Sequence, residues 1–558
     1  MDFSKGLLSQ EIWQIVRDRH VPASAESIEL HYSRARSLCQ QSGLTVNDIQ
    51  HLTPKFWDFH FDPTRDATAF TIATIHINLC IGTISRFASS RPDLLPLLDS
   101  LVKFDVCGSF MLTEVGHGLD ARNIETTATL RADGSFELNS PNGASWKAMP
   151  PTTPLCGLPR VAVVFARLIV GSEDRGIKPF IVHLSDPKTM RPGITSTLLP
   201  MRPGTKPLDH ALTHFDHVSL PPSALLGSMS KPDDPRKDFL QQIWRVSVGT
   251  LSLSIASISS IKVASSIVAA YSRRRLVTAP DMTKVPIFQF STQHRPILRA
   301  VASGAILETF ARWTIEEYTN KRQTQSIRHA LATIFKATAT RESQVLVEML
   351  ERCGWQGLFS YNQISELALA LQGNSIAEGD ALVLCIRLAS EVLGGKYSLP
   401  KAKDPTSAMA RHEYGLFREA GNAISGLGGY DAHRSQAFDN HILPRCRLMI
   451  EAVGHRMAYE AAQAAGIDEA VLLLYERLCM SADLSWYTEN GITTRSSFFA
   501  SVDEAYEAAL PVLLRMLDEQ EPRLRGYISA PIASAESWDS FLPGLQTFGS
   551  KADGSLKL

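Results

Sequence analysis

Residues 110–130 read FMLTEVGHGLDARNIETTATL. Two periods meet in this stretch. Upstream, residues 23–42 and 67–87 carry apolar side chains three and four apart, the spacing of helices, and Pro-rich segments interrupt them. Downstream, residues 124–130 and 135–138 read as strands across the turn Ala132-Asp133-Gly134-Ser135. Further β-branched runs follow at 161–170, 178–184 and 194–201, separated by Gly, Pro and Asp. Residues 110–228 therefore read as a compact antiparallel β domain. From Phe239 onward the pattern is helical again, with long stretches near 241–275, 292–320, 340–354, 378–394, 408–424, 443–465, 468–482 and 502–520. Strands and helices are segregated rather than alternating, which excludes a βαβ nucleotide fold. No G-x-G-x-x-G or G-x-x-x-x-G-K-[ST] stands at a strand–helix junction. The expected fold is α+β: a helical domain (1–109), a β middle domain (110–228), a helical bundle (229–465) and a further helical region (466–558).

Within the opening stretch, Gly116 and Gly118 remove side chains where a backbone must approach a ligand closely. Thr113 offers a hydroxyl and a backbone amide to one heteroaromatic edge. The spacing Thr113, Glu114, Gly116, Gly118, followed by Glu125, Thr126 and Thr127, resembles the flavin-binding signature of acyl-CoA oxidases and the related acyl-CoA dehydrogenases. Flanking residues extend the resemblance. Arg65-Asp66-Ala67-Thr68 and Ile75 to Leu79 are similar to the oxidase helix before the loop. Trp146-Lys147 resembles the family's Lys-Trp strand, and Tyr271 to Arg275 looks like the end of the first C-terminal helix.

The resemblance implies FAD as cofactor, with Thr113, Gly116, Gly118, Trp146 and Gly157 around it. It also implies Arg275 on the flavin pyrophosphate of a neighbouring subunit, Gln293 as a further cross-subunit contact, and hence a homodimer. A guanidinium suits a diphosphate through paired hydrogen bonds. Gly428, Gly429 and Tyr430 match a turn that borders the substrate thioester, with residues 422–425 reading as an insertion upstream. The implied reaction is α,β-desaturation of a small-molecule acyl thioester, with dioxygen taking the electrons in an oxidase. Such chemistry needs a base for the α proton, and a desolvated carboxylate is suitable. In the family this glutamate lies about 20 residues past the turn. Here the strict position is Ile450, an anchor on Cys446 gives Met449, and Glu451 is the candidate base. The relocated base leaves two other readings open: a family member turned to a specialised metabolite by desaturation or flavin oxygenation, and an inactive structural homologue.

Charge adds exclusions. The 56 Lys+Arg nearly cancel 57 Asp+Glu, so there is no electrostatic footprint for nucleic acid or anionic lipid. The eight cysteines show no C-x-x-C spacing and read as reduced thiols of an intracellular protein. The pair His214 and His217 in HFDH reads as a surface strand, and no metal is expected. Residues 246–271 form the longest apolar-looking stretch, but they are Ser-rich and carry Lys262. With Leu251, Ile255, Ile258 and Val263 near helical spacing, a buried amphipathic helix is expected rather than a membrane span. The N-terminal residues lack a long apolar run, so no secretory signal is expected. The terminal Leu556-Lys557-Leu558 is a non-standard form of the Ser-Lys-Leu peroxisomal address, so a cytoplasmic or peroxisomal location is expected.

Overall fold

The computed structural model describes residues 23–62 and 65–548. The N-terminal run and the Leu-Lys-Leu end, on which the localisation expectations rest, lie outside the described residues. The chain forms two compact units, each built from three segments. The first takes residues up to Ser257, then Glu308–Arg341 and Leu369–Ala461; the second takes Ile258–Leu307, Glu342–Ala368 and Ala462 onward.

The first unit opens with helices α1 (Ala25–Ser42), α2 (Val46–His51), α3 (Pro54–Phe61) and α4 (Ala67–Thr74). Ser24 and Asp66 cap α1 and α4 through their side-chain oxygens, as short polar residues at helix starts commonly do. The helix begun by α4 then widens into a π-helical turn, Ile75–Ile81, before α5 (Gly82–Ser85). Such π segments frequently mark functional places. After α6 (Leu95–Val102) comes strand β1 (Cys107–Met111), and the π turn is its support. The buried His76 donates from Nε2 to Leu101 O at 2.8 Å and accepts from Gly108 N at Nδ1, also at 2.8 Å. Burial holds its pKa down to about 4, so the ring is neutral and both bonds persist at neutral pH. Gly108 is required by contact: a Cβ there would stand 2.6 Å from Cys80 Sγ. Gly108→Ala is expected to destabilise the protein by about 1–3 kcal/mol through overpacking. An unchanged urea midpoint would show that the strand can lift off the π turn freely.

The β region holds two sheets. One has the order β1, β5 (Arg160–Val170), β2 (Thr127–Leu130), β3 (Phe136–Asn139), β9 (Val218–Leu220), with β6 (Glu173–Ser185) also paired to β5. The other is β4 (Lys147–Pro151), β8 (His210–Phe215), β7 (Ile194–Leu198). The β2–β3 turn forms where expected, with Gly134 at φ 84° and Asp133 accepting from Ser135. One expectation is corrected. The main sheet is mixed, not antiparallel, because β5 runs parallel to both β1 and β2. The long β5 can serve two partners because it is buried along most of its length, reading as a continuous apolar run. The core between the sheets is built from Met111, Phe136, Leu138, Val164, Phe180 and Phe215 and their neighbours.

The helical half comprises α7 (Pro235–Gln242), α8 (Trp244–Arg274), α9 (Ser291–Thr319), α10 (Gln325–Glu342), α11 (Val345–Glu351), α12 (Ile364–Ile376) and α13 (Ala381–Leu393). It continues with α14 (Ala408–Gly426), α15 (Gln436–His441), α16 (Cys446–Ala464), α17 (Glu469–Ser481), α18 (Leu484–Glu489), α19 (Arg495–Leu524) and α20 (Ala535–Phe541). Most of α10 and all of α12 fall outside the stretches expected from sequence. The residues read as an insertion, 422–425, simply continue α14. Two helical stretches, Ala67–Ser85 and Trp244–Arg274, are long and apolar enough to cross a membrane, but their apolar windows are 83% and 89% buried inside the protein. The second is not amphipathic as expected. Most of its serines are buried too, and several are satisfied by carbonyls of their own helix, as Ser254 Oγ is by Thr250 O at 2.7 Å and Ser272 Oγ by Val268 O at 2.6 Å. In the second unit, α17 packs on α19, and the hairpin β10 (Leu276–Thr278) with β11 (Lys284–Pro286) follows α8.

Candidate functional site

The loop after β1 is held from beneath by a buried ion pair. Glu114 and Lys147 are fully enclosed, 2.9 Å apart. Each makes three hydrogen bonds, which for the ammonium of Lys147 is its full capacity. Glu114 also accepts from the backbone N–H groups of Glu125 and Thr126 at 2.7 and 3.1 Å, while Lys147 also donates to Phe165 O at 2.7 Å and Leu112 O at 3.2 Å. Burial lowers the Lys147 pKa to about 8, with Glu114 acting against that fall. Backbone bonds complete the frame: Val115 N to Trp146 O, Gly116 N to Ala144 O, and Ala148 N to Thr113 O. Thr126 Oγ1 donates to Ser145 O, and His117 meets Glu125 at 2.9 Å. Thr126 and both glutamates of the opening stretch therefore brace the loop. Thr113 stands half-buried at its base.

The glycines divide. A Cβ on Gly116 would lie 2.9 Å from the Ala144 Cβ, so the close approach at that position is to the chain itself. A Cβ on Gly118 would meet open space. Gly157 takes a left-handed conformation, φ 66°, at the end of the short 3-10 turn Pro154–Cys156. Trp146 stacks on His214 with ring centres 4.6 Å apart, and His214 Nδ1 is buried without a partner. His217 sits beyond the strand end, its Nδ1 2.9 Å from Glu137, so the HFDH histidines go to different tasks.

On the helical side of this unit, Gly428 and Gly429 are both left-handed, at φ 95° and 99°, where glycine is strongly favoured. Tyr430 pins the turn by donating to Ser390 O at 2.7 Å, and its ring lies against Gly394 and His433. Glu451 is buried on α16, and its carboxylate is engaged by Arg447 Nε at 2.8 Å, one turn away. Ile450 and Met449 are buried apolar residues.

A second polar cluster in the same unit was not visible in the sequence. Glu378 lies in the turn between α12 and α13, half-buried, with its carboxylate against Gly249 of α8. Asn78, on the π turn, donates to it at 3.3 Å and also to Arg245 O at 3.2 Å. Desolvation raises the Glu378 pKa to about 8, with Lys336 and Arg245 pulling the other way. Desolvation likewise lowers Lys336 to about 8 and Arg245 to about 9. One signal in the sequence could have pointed here: Gly249 stands inside a helix, where glycine costs about 1 kcal/mol and wants a packing reason.

In the second unit, Arg275 is exposed just past the end of α8, its carbonyl bonded by Ile287 N. Gln293, in the first turn of α9, spends its amide nitrogen on Ser272 Oγ and Arg352 O, both at 2.8 Å.

Comparison with known proteins connects these features. A family model, acyl-CoA oxidase C-alpha1 domain, matches residues 249–393. Human peroxisomal acyl-coenzyme A oxidase 3 is 25% identical over 389 residues, 64% of this chain and 54% of that protein. Acyl-coenzyme A oxidase 2, peroxisomal, of Arabidopsis thaliana is 26% identical over 321 residues, 53% of this chain and 46% of that protein. The matches thus span about half the length of these curated relatives. Among solved structures, acyl-CoA oxidase1 of Yarrowia lipolytica superposes with a TM-score of 0.77 at 18% identity, covering 97% of this chain and 89% of that one. Acyl-CoA oxidase-1 of Caenorhabditis elegans complexed with FAD and ATP gives 0.69 at 17% identity, covering 93% and 92%. In sequence over residues 249–393, and in fold over nearly all of its length, the chain is similar to acyl-CoA oxidases.

Proposed function

We propose that the protein is an FAD-dependent oxidoreductase that desaturates an acyl thioester between its α and β carbons and passes the electrons to dioxygen. The observation that carries this reading is the braced loop: Thr113 to Gly118, locked by the buried Glu114–Lys147 pair in a fold shared with acyl-CoA oxidases. The donor set fits a flavin. A hydroxyl and an amide at Thr113 suit a heteroaromatic edge, and the orphaned His214 Nδ1 beside Trp146 leaves a buried polar atom for a ligand to satisfy. FAD, when bound, supplies the two-electron acceptor for the desaturation. The chain's own residues do the rest. Thr113 orients the ring, with Gly116, Gly118, Trp146 and Gly157 around it. The Gly428-Gly429-Tyr430 turn borders the thioester. Arg275 reaches the pyrophosphate of a neighbouring subunit's flavin, with Gln293 beside it, which makes the working unit a homodimer. Relatives named as peroxisomal support a peroxisomal location.

The test begins with the purified protein. It is expected to carry FAD, to bleach anaerobically with octanoyl- or hexadecanoyl-CoA, and to form hydrogen peroxide in air. Thr113→Val keeps the shape but removes the hydroxyl, and FAD affinity is expected to fall roughly 3–10-fold, the weight of one hydrogen bond. A protein that stays colourless after incubation with FAD would sink the reading.

A further inference from the structure

We propose that the cavity between β6, β9 and the entry to β7 is a second small-molecule site, one that takes a monocarboxylate with an aliphatic body of about eight to ten carbons. The inference goes beyond the desaturase reading and does not depend on it. The site lies wholly within the first unit.

Topology makes the cavity. β5 pairs with β1 on one side and with β6 on the other, so β6 is an edge of the main sheet. β9, at the far end of the strand order, is another edge. Both edges face one space of about 510 Å³, bounded on a third side by the short 3-10 turn Pro92–Leu94 and by Leu97 of α6. That is the size of an ordinary ligand pocket. None of its lining residues belongs to the flavin loop or to the Gly428-Gly429-Tyr430 turn, and β5 stands between β6 and the strand that leads to Thr113.

The walls are preformed. Arg91 holds the 3-10 turn by donating to both carboxylate oxygens of Asp93, at 2.8 and 2.6 Å, to Leu225 O at 3.1 Å and to Ser223 O at 2.9 Å. Across the space, Arg191 N donates to Leu184 O at 2.9 Å, Ile194 N to Arg191 O at 3.0 Å and Asp216 N to Gly193 O at 2.8 Å. Gly193 takes φ 77°, and a Cβ there would stand 2.8 Å from Asp216 O. Little ordering is left for a ligand to impose.

The chemistry of the lining is divided. Leu94, Leu97, Ile181, Ile194, Val218 and Leu220 give it apolar walls. Its titratable and charged groups are Asp93, His183 and Arg191. Asp93 is already paired with Arg91. Arg191 is different: among the described residues its guanidinium donates no hydrogen bond, although its charge also acts on Asp186 beyond the rim. After desolvation, the Arg191 charge is what holds the His183 imidazole below its usual pKa, so the two groups are close neighbours. An uncommitted guanidinium beside an imidazole suits a carboxylate head, which it meets with paired hydrogen bonds. The apolar walls suit an aliphatic body. An inorganic anion would leave the walls bare, and an alkylammonium would face an unopposed cation.

The test is calorimetric titration of the FAD-loaded full chain with octanoate, acetate and 1-octanol. Octanoate is expected to bind with one equivalent and at least 10-fold more tightly than either control, because only it offers both head and tail. Arg191→Met is expected to weaken octanoate roughly 10–100-fold and to leave 1-octanol unchanged. Leu97→Trp fills the space from a half-buried position and should exclude both. A bound carboxylate favours the charged form of His183, so affinity should rise as pH falls from about 8 towards about 6, and His183→Gln should remove that dependence. Octanoate that binds Arg191→Met and Leu97→Trp as tightly as the parent would lie elsewhere, and the proposal would be overturned. Octanoate that gives no heat at millimolar concentrations overturns it too. Neither outcome touches the desaturase reading, which is judged by flavin content and bleaching.

Discussion

Lys147→Met is expected to destabilise the protein by about 3–5 kcal/mol, because it strands the enclosed carboxylate of Glu114. Methionine fills similar volume, so a cavity is not the cause. The cause is the loss of three donated hydrogen bonds, to Glu114, Leu112 O and Phe165 O, at a site with no solvent to replace them. Glu114→Gln should cost less, since an amide oxygen still accepts from Lys147 or from the Thr126 and Glu125 amides. The loop from Thr113 to Gly118 hangs from this pair, so flavin retention should fall in step with stability. Thermal melts with and without added FAD test this. A Lys147→Met protein that melts with the parent would show that the pair is replaceable and that the loop is held by its backbone bonds alone.

The same comparison shows what a sequence discloses. The opening stretch was legible because its glycines, its threonines and the change of period fall within twenty residues, and the turn at Gly134 follows from local chemistry alone. Lys147 was visible as a motif residue, but its partner was not, since 33 positions separate it from Glu114. Most of α10 escaped because residues 330–339 are buried on every side, and a helix without a wet face shows no amphipathic period. The mixed sheet escaped for a related reason. An apolar run such as 161–170 announces burial but not the direction of its neighbours. The sequence reads the loop glycines as ligand clearances; the structure adds that a Cβ on Gly116 would also crowd Ala144. Glu378 is a turn residue whose neighbours Gly249, Asn78 and Lys336 are brought to it only by the fold.

Glu378→Gln is expected to stabilise the protein at alkaline pH while leaving it unchanged at acid pH. The sign follows from linkage. The folded-state pKa of Glu378 is raised from 4.5 to about 8, chiefly by desolvation. Between those values the folded protein binds a proton that the unfolded chain has released, so stability falls as pH rises through the window. Glutamine mimics the protonated carboxyl and carries no such loss. At about pH 5 the two proteins should melt together, and at about pH 9 the variant should lead by an apparent Tm difference worth up to roughly 5 kcal/mol. Lys336, Arg245 and the Asn78 amide pull against desolvation and are already contained in that net shift; without them the loss at alkaline pH would be larger. Lys336 itself titrates in the opposite sense, its folded pKa lowered to about 8, but it is present in both proteins and enters the comparison only through its coupling to Glu378. Melting curves of FAD-loaded parent and variant at the two pH values read the result. A difference that does not change with pH would show that the carboxyl ionises in the fold as freely as in the unfolded chain. A gain confined to alkaline pH would mean that the protein gives up stability at this position in order to keep a desolvated carboxylate there.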